Sequence, residues 1–321
     1  MKLSIVIVSW NAKSYLIKCL HSIFSQKMPN DFEVIVVDND SSDGSPEAVE
    51  QNFPHVKLIR SGSNLGFARA NNIGITESSG DFICLVNSDV EVLPGCFNSL
   101  IGFMQSRPEV AGVGPKILNA DLSIQTSCRK FPSLWNNLCR ALALDRVFGK
   151  SPFFSGEQMF YFSHSETIQV QVLSGCFMML RRSAIEEVGL LDDRFFIYAE
   201  DIDWCRRFSD AGKMLMFFPQ AKAIHYGGGS SGNAPVRFSL EQIRARFQYW
   251  EKYHGEAGIM CFALIVALHH LVRIFGGLSL YLIRPGGRER RRDKIAANWK
   301  ALKSVYPLAN EMIEMRRVSA G

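Results

Sequence analysis

Four groups of acidic and amide residues stand where apolar runs of the chain end. Asp38, Asn39 and Asp40 follow "FEVIVV"; Asn87, Ser88 and Asp89 interrupt "LVNSDVEV" (85–92); Glu200, Asp201 and Asp203 follow "FFIY"; His225 precedes "YGGGSSG". A carboxylate, an amide and an imidazole together suit a divalent cation with open positions, and aspartate oxygen favours Mg²⁺ or Mn²⁺ shared with substrate phosphates. Taken singly, each group has a plainer explanation. "DNDSSDGS" reads as a turn with helix caps, "NSD" as a cap, and Glu200 with Asp201 as acids offsetting a helix dipole. "GGGSSG" reads as a hinge, because neither a Walker lysine nor a strand-GxGxxG-helix context accompanies it.

The elements that must position these groups alternate up to about residue 120. "LSIVIVSW" (3–10) is apolar throughout, as in a strand covered on both faces. Tyr15, Leu16, Cys19, Leu20, Ile23 and Phe24 then repeat at helical spacing. Strands are expected at 32–39, 56–62 and 81–86, with a helix at 46–53 capped by Ser45 and another entered through "NLGFARANNIGITES" (64–78). Strand–helix alternation predicts a doubly wound, mostly parallel α/β sheet flanked by helices. The carboxyl ends of its parallel strands share one rim, where the polar groups would meet. Beyond residue 120 a helix is expected at 133–148, a strand at 170–182, helices at 183–189 and 199–212, and a last core strand at 213–219.

The totals are those of a globular protein: 321 residues, 47% hydrophobic and 21% charged. A net charge of +5 is mildly basic, suited to an anionic ligand or membrane surface and too weak to imply nucleic acid. The eight cysteines form no CxxC pair and several lie in apolar runs, so they read as core residues of a reducing compartment. The opening "MKLSIVIVSW" is too short an apolar run for a signal peptide and reads as a first strand.

Seven blocks in order, "VSWN" (8–11), "VVDNDSSDGS" (36–45), "NLGFARANNIGI" (64–75), "LVNSDVEV" (85–92), "SGCFMMLRR" (174–182), "FFIYAEDIDWCRR" (195–207) and "IHYGGGS" (224–230), resemble the family 2 glycosyltransferases, in their rhamnosyltransferase-like branch. The resemblance covers residues 1–230. It implies the GT-A fold, and inverting transfer of one sugar from a nucleotide-diphosphate donor (a dTDP-, UDP- or GDP-sugar) to a glycan or polyprenyl-linked acceptor in cell-surface polysaccharide synthesis. It makes "NSD" the counterpart of the family's DxD motif, with Asn87, Ser88 and Asp89 at the donor and Asp89 and His225 as metal ligands. Asn87 stands where the family has its first aspartate, leaving one negative charge fewer on the cation. Asp38 resembles the aspartate that bonds the nucleoside, with Ser9, Trp10 and Asn11 lining the base pocket and Asn64 and Arg69 facing the donor. Asp201 is similar to the catalytic base, with Glu200 second and Asp203 structural. The QxxRW motif of processive relatives is absent, which favours single addition.

Two other readings remain. A sugar-phosphate nucleotidylyltransferase should carry a basic glycine-rich loop after the first strand, and "VSWNAKSYL" has no glycine. A degenerate transferase domain serving as a membrane scaffold would have no need to keep Asp89, Asp201 and His225 together. The expected domains are a catalytic one at 1–235, its donor half about 1–120 and its acceptor half about 120–235, and a helical, partly apolar extension at 236–321. Residues 257–283 are almost wholly apolar but for His269, His270 and Arg273, and Gly276-Gly277 is expected to split them into two helices. Arg284, Arg288, Arg290, Arg291, Arg292 and Lys294 follow. That pattern suggests a cytoplasmic protein lying peripherally on the inner leaflet of the membrane rather than crossing it.

Overall fold

The computed structural model describes residues 2–28, 31–229, 231–284 and 286–320. The chain forms two compact units, Met1–Phe131 with Ser163–Gln242, and Pro132–Phe162 with Ile243–Gly321. Residues 132–162, expected in the acceptor half, therefore fold with the C-terminal helices.

The strands are β1 Leu3–Ser9, β2 Phe32–Asp38, β3 Lys57–Arg60, β4 Phe82–Asn87, β5 Val90–Val92, β6 Val110–Leu118, β7 Ile124–Gln125, β8 Cys128–Arg129, β9 Ile168–Gln169, β10 Val172–Leu173, β11 Phe177–Arg181 and β12 Met214–His225. The helices are α1 Lys13–Phe24, α2 Ser45–Asn52, α3 Phe67–Thr76, α4 Cys96–Ser106, α5 Leu134–Ala141, α6 Leu144–Val147, α7 Arg182–Val188, α8 Glu200–Asp210, α9 Pro235–Ile283 and α10 Arg288–Ala320.

The main sheet runs β3-β2-β1-β4-β11-β6-β12-β5. Its first four strands are parallel, as are β6 and β12. Between the two sets β11 runs antiparallel to both β4 and β6. The apolar, β-branched centres of β1, β2 and β4 are buried because helices cover both faces. α1 packs Leu16, Cys19, Leu20 and Ile23 against one face, and α3 lays Ala70 against Ile35 and Val37 on the other.

A carboxylate ties the rim remote from the site. Glu33 accepts from Ser4 Oγ (2.6 Å), Ser79 N–H (2.7 Å) and Ser79 Oγ (2.8 Å), with Lys2 Nζ 3.6 Å away. Burial opposes its ionisation, but these donors and the Lys2 charge outweigh burial and bring the carboxyl down to about 2. A folded-state value below the unfolded one stabilises above the unfolded value of 4.5, and the effect is lost as pH falls through about 2. Glu33→Gln is expected to cost about 2 kcal/mol at neutral pH. Urea unfolding as a function of pH checks this, since the loss of stability on acidification from pH 4.5 towards 2 should be shallower in the variant.

Four local expectations give way. Ser45 is the first residue of α2 rather than its cap; Gly44 precedes it in a left-handed conformation, and the Asp43 carboxylate accepts the Ser45 N–H at 3.0 Å. The strand expected at 170–182 is two, β10 paired to β8 in a separate ribbon and β11 in the main sheet. The last core strand extends past 219 to His225, through a register shift between Phe218 and Lys222. The helix expected at 133–148 is interrupted at Ala143, whose φ is 59°.

In the second unit Phe247, Trp250, Ile259, Phe262, Val305 and Met312 form a core between α9 and α10. α9 breaks at Gly255 (φ 63°), not at Gly276-Gly277, which lie inside the helix. There a Cβ on residue 277 would fall 2.9 Å from Ile295 Cγ1, so this glycine serves close helix packing instead. Among the described residues one helical stretch, Leu240–Ile283, is long and apolar enough to cross a membrane, and 28% of its most apolar window is buried.

Candidate active site

The carboxyl ends of β1, β2 and β4 carry Ser9, Asp38 and Asn87 to one rim, and β12 brings His225 to the same rim by running parallel to β6. β5 continues from the break in "LVNSDVEV" and pairs Val90 with His225, which sets Asp89 beside the imidazole. Of the three polar residues at this break, Asn87 is the last of β4, and Ser88 and Asp89 form the turn into β5.

Asp89 Oδ1 lies 3.1 Å from His225 Nε2, and its Oδ2 accepts the Gly229 N–H at 3.0 Å. A Cβ at position 229 would stand 2.8 Å from Asp89 Cβ, so only glycine lets this loop close on the carboxylate. Burial works against ionisation of Asp89, yet contact with His225 and the Gly229 N–H outweighs it and keeps its carboxyl below the usual range. The other ring nitrogen, His225 Nδ1, is 2.6 Å from Gln125 Oε1. Gln125 Nε2 donates to Asn119 Oδ1 (2.8 Å) and His225 O (3.2 Å), which turns its oxygen to the ring. An amide oxygen only accepts, so Nδ1 carries the proton. Nε2 faces the Asp89 carboxylate, a nitrogen and an oxygen close enough to bond directly through a proton.

A cavity of about 260 Å³ opens beside this pair. Of the residues expected at the site, Trp10, Asn64, Asn87, Ser88, Asp89 and His225 line it. Ser9 and Asp38 lie buried, paired across β1 and β2, and neither Ser9 Oγ nor Asp38 Oδ1 has a partner among the described residues. Asn87 Oδ1 is likewise shielded and unpartnered. Asn11 is not in the lining; its Oδ1 accepts the Ser42 N–H at 2.7 Å and so joins the loops after β1 and β2. Arg69 is exposed on α3 and outside the lining.

Sequence reasoning assigned no role to Asn39, which organises the "NLGF" loop. Its Nδ2 donates to Asn64 Oδ1 (3.0 Å) and Gly66 O (3.1 Å), and its Oδ1 accepts the Leu65 N–H (2.8 Å). Gly66 has φ +82°, and a Cβ there would lie 2.3 Å from Phe196 O, so the loop presses on the segment before α8. Phe196, Ile197 and Tyr198 complete that wall, and Phe238 in α9 faces Trp10 with ring centroids 5.9 Å apart. Gln125 and Phe238 were also missed. Neither lies in one of the seven blocks, and Gln125 meets its partner 100 residues along the chain.

Tyr198 and Ala199 both have positive φ (71° and 64°) and turn the chain sharply into α8, at whose start stand the remaining acids. Asp201 Oδ2 accepts the Gly175 N–H at 3.0 Å and its Oδ1 the Ile202 N–H at 2.8 Å. Glu200 is buried with Oε2 unpartnered among the described residues; burial, then the Asp201 charge, push its carboxyl well above the ordinary range. Asp203 is fully buried and paired with Arg207 Nε at 3.0 Å. Neither Glu200 nor Asp201 lines the cavity itself, though the Cys176 carbonyl, next to Gly175, accepts the Asn87 N–H at 2.9 Å.

The family described as "Glycosyl transferase family 2" matches residues 4–189. The N-acetylglucosaminyl-diphospho-decaprenol L-rhamnosyltransferase of Mycobacterium tuberculosis is 32% identical over 264 residues, 79% of this chain and 85% of that protein. The rhamnosyltransferase WbbL of Escherichia coli K12 is 27% identical over 254 residues, 76% of this chain and 91% of that protein. Among solved structures, the mannosyltransferase PcManGT of Pyrobaculum calidifontis, in complex with GDP-Man and Mn²⁺, superposes with a TM-score of 0.55 at 15% identity, over 97% of this chain and 86% of that one. The last likeness bears on the fold, which is GT-A.

Proposed function

Because the chain belongs to glycosyl transferase family 2 and is a glycosyltransferase, we propose that it moves one L-rhamnose, with inversion, from a nucleotide-diphosphate donor to a polyprenyl-diphosphate-linked glycan. The sugar and acceptor rest on the two rhamnosyltransferases, the first of which takes its acceptor on diphospho-decaprenol by name.

The observation that carries the reading is the Asp89–His225 pair at 3.1 Å on the cavity rim, with Gln125 holding the ring's other nitrogen. Neighbouring ligands of an octahedral ion such as Mg²⁺ sit about 3 Å apart. Asp89 and His225 thus fit a divalent cation, and Asn87, whose Oδ1 is unpartnered among the described residues, lines the same cavity. Among the described residues no three His, Cys, Asp or Glu side chains converge, so donor phosphate oxygens would complete the coordination. Bound there, the ion would neutralise the leaving diphosphate as a Lewis acid.

The chain's own residues do the rest. The unpartnered Ser9 Oγ and Asp38 Oδ1 are reserved for the nucleoside, with the Trp10 ring beside it. Asp201, oriented by two backbone N–H groups, accepts the proton of the attacking hydroxyl. Glu200, whose burial favours the neutral carboxyl, stays out of that exchange.

A panel of dTDP-rhamnose, UDP-glucose, UDP-GlcNAc and GDP-mannose, each with and without Mn²⁺, tests the donor. Thermal stabilisation and turnover are expected with dTDP-rhamnose and Mn²⁺ together. Equal response to another nucleotide sugar would replace the rhamnose assignment, and no response to any would remove the catalytic reading.

We also place the protein on the inner membrane surface through α9 and the basic stretch beyond it. Leu264, Phe275, Leu282 and Ile283 are 65–75% exposed, and Arg284, Arg288, Arg290 and Arg292 occupy exposed positions after them. His270 and Arg273 do not face lipid unpaired: His270 Nδ1 meets Asn298 Oδ1 (3.0 Å), and Arg273 donates to the carbonyls of Ala141 and His269 (3.2 Å each). Flotation with vesicles containing phosphatidylglycerol is expected, weakening with salt and lost on joint Leu282→Asp and Ile283→Asp substitution. Undiminished flotation of that double variant would refute attachment at this face.

A further inference from the structure

Arg129 has no assigned role, and its surroundings single it out. It ends β8, opposite Val172 of β10, and is half-buried. The same ribbon continues through Ser127, whose carbonyl accepts the Ser174 N–H at 2.9 Å. The two residues after Ser174 meet the site directly: Gly175 N–H donates to Asp201, and the Cys176 carbonyl accepts from Asn87. Arg129 is thus anchored to a segment that touches both the expected base and the expected donor side.

Three other half-buried arginines of this unit are committed to the fold. Arg181 donates to the carbonyls of Val110 and Arg107, Arg182 to Gly80 O and Ser78 Oγ, and Arg207 to Asp203, Val188 O and Leu190 O. Arg129 Nε, by contrast, is shielded from solvent and has no partner among the described residues. A charged donor shut away from water without an acceptor is unfavourable in the free protein, and an anionic ligand relieves it. The ribbon tells where such a ligand would sit: Arg129 pairs with Val172, and the chain from there reaches Gly175 and Cys176, which bond Asp201 and Asn87, within a few residues.

We propose that Arg129 is a phosphate-binding residue of the transfer site, its guanidinium reserved for phosphate oxygens of a substrate. It rests on the reading of Asp89 and Asp201 as the two sides of that site. A planar fork of donors suits phosphate oxygens, which it can engage through two parallel hydrogen bonds. Two substrates offer that chemistry, the donor through its diphosphate and the acceptor through the phosphates of its lipid link.

The test uses the full chain with Arg129→Gln and Arg129→Lys. For Arg129→Gln, kcat/KM is expected to fall by about 100-fold with no loss of Tm, because the deleted donor had no partner in the fold; lysine should restore part of the rate. Calorimetric titration with the nucleoside diphosphate and with inorganic pyrophosphate then separates the sources. A matching loss of nucleoside-diphosphate affinity assigns the donor phosphates; unchanged affinity with a raised KM for the lipid-linked acceptor assigns the acceptor phosphates. The pyrophosphate titration keeps the result apart from the choice of sugar: weaker pyrophosphate binding in Arg129→Gln supports the proposal even if no sugar in the panel is transferred. A kcat/KM within threefold of wild type, or a loss of rate matched only by a lower Tm with all affinities intact, overturns it.

Discussion

Asp201→Asn is expected to reduce sugar transfer by about 10²–10⁴-fold while nucleoside diphosphate binds with unchanged affinity. The carboxylate sits at the start of α8 with each oxygen taking one backbone N–H, from Gly175 and from Ile202. An asparagine fills the same space but offers one acceptor where two are used, so its amide must face one of those N–H groups. A loss of about 1–2 kcal/mol in stability should accompany the catalytic loss. Activity must therefore be measured well below the variant's Tm, with calorimetry reporting binding. Glu200→Gln supplies the contrast. That carboxyl is buried and raised well above its usual range, which favours its neutral form, and the amide replaces that form nearly isosterically. Its activity should stay within about tenfold of wild type. Turnover by Asp201→Asn close to wild type, or a deeper loss in Glu200→Gln, would reassign the base.

Asp89→Ala and His225→Ala are expected to lower kcat/KM by at least about 100-fold each and to abolish the Mn²⁺-dependent part of the thermal shift given by nucleoside diphosphate. The two side chains form one unit, so the double variant should be little worse than either single one. Gln125→Ala should do less, about 10–100-fold in metal affinity, because it only orients the ring and fixes its proton on Nδ1. A titration of Mn²⁺ against the nucleotide complex orders the variants. If the Asp89 variant keeps a full metal response, the cation must be held elsewhere.

Much of this architecture is legible in the amino-acid pattern alone. The centres of β1, β2 and β4 (residues 5–8, 34–37 and 82–86) are apolar runs, and only a strand covered on both faces favours such a run, so they and the rim they end on are visible in it. So are Asp89 and His225, because each stands where an apolar pattern gives way to polar residues. The features that escape the pattern depend on partners distant in sequence. Residues 170–182 carry one continuous apolar pattern, yet Val172 pairs with Arg129 while Phe177 pairs with Val86, and periodicity cannot separate two sheets. Gly276-Gly277 looks like a helix break because glycine's conformational freedom is local information, whereas the use of Gly277 against Ile295 is tertiary. Gln125 and Arg129 lie in a short irregular stretch with no pattern of their own, and matter through the returning strands that pair beside them.

The reversed direction of β11 also decides which connections can change without disturbing the chemistry. In the parallel part of the sheet, segments that follow a strand reach the working rim and those that precede it do not. For β11 the order inverts: the connection leading in ends at Gly175 and Cys176 on that rim, and the one leading out, through Arg182, returns to the opposite edge beside Asp81. The connection leading in is short, running from Leu173 at the end of β10 to Phe177 at the start of β11. A change within it would alter the working rim directly, whereas a segment grafted just after Arg181 would test the stability of the frame.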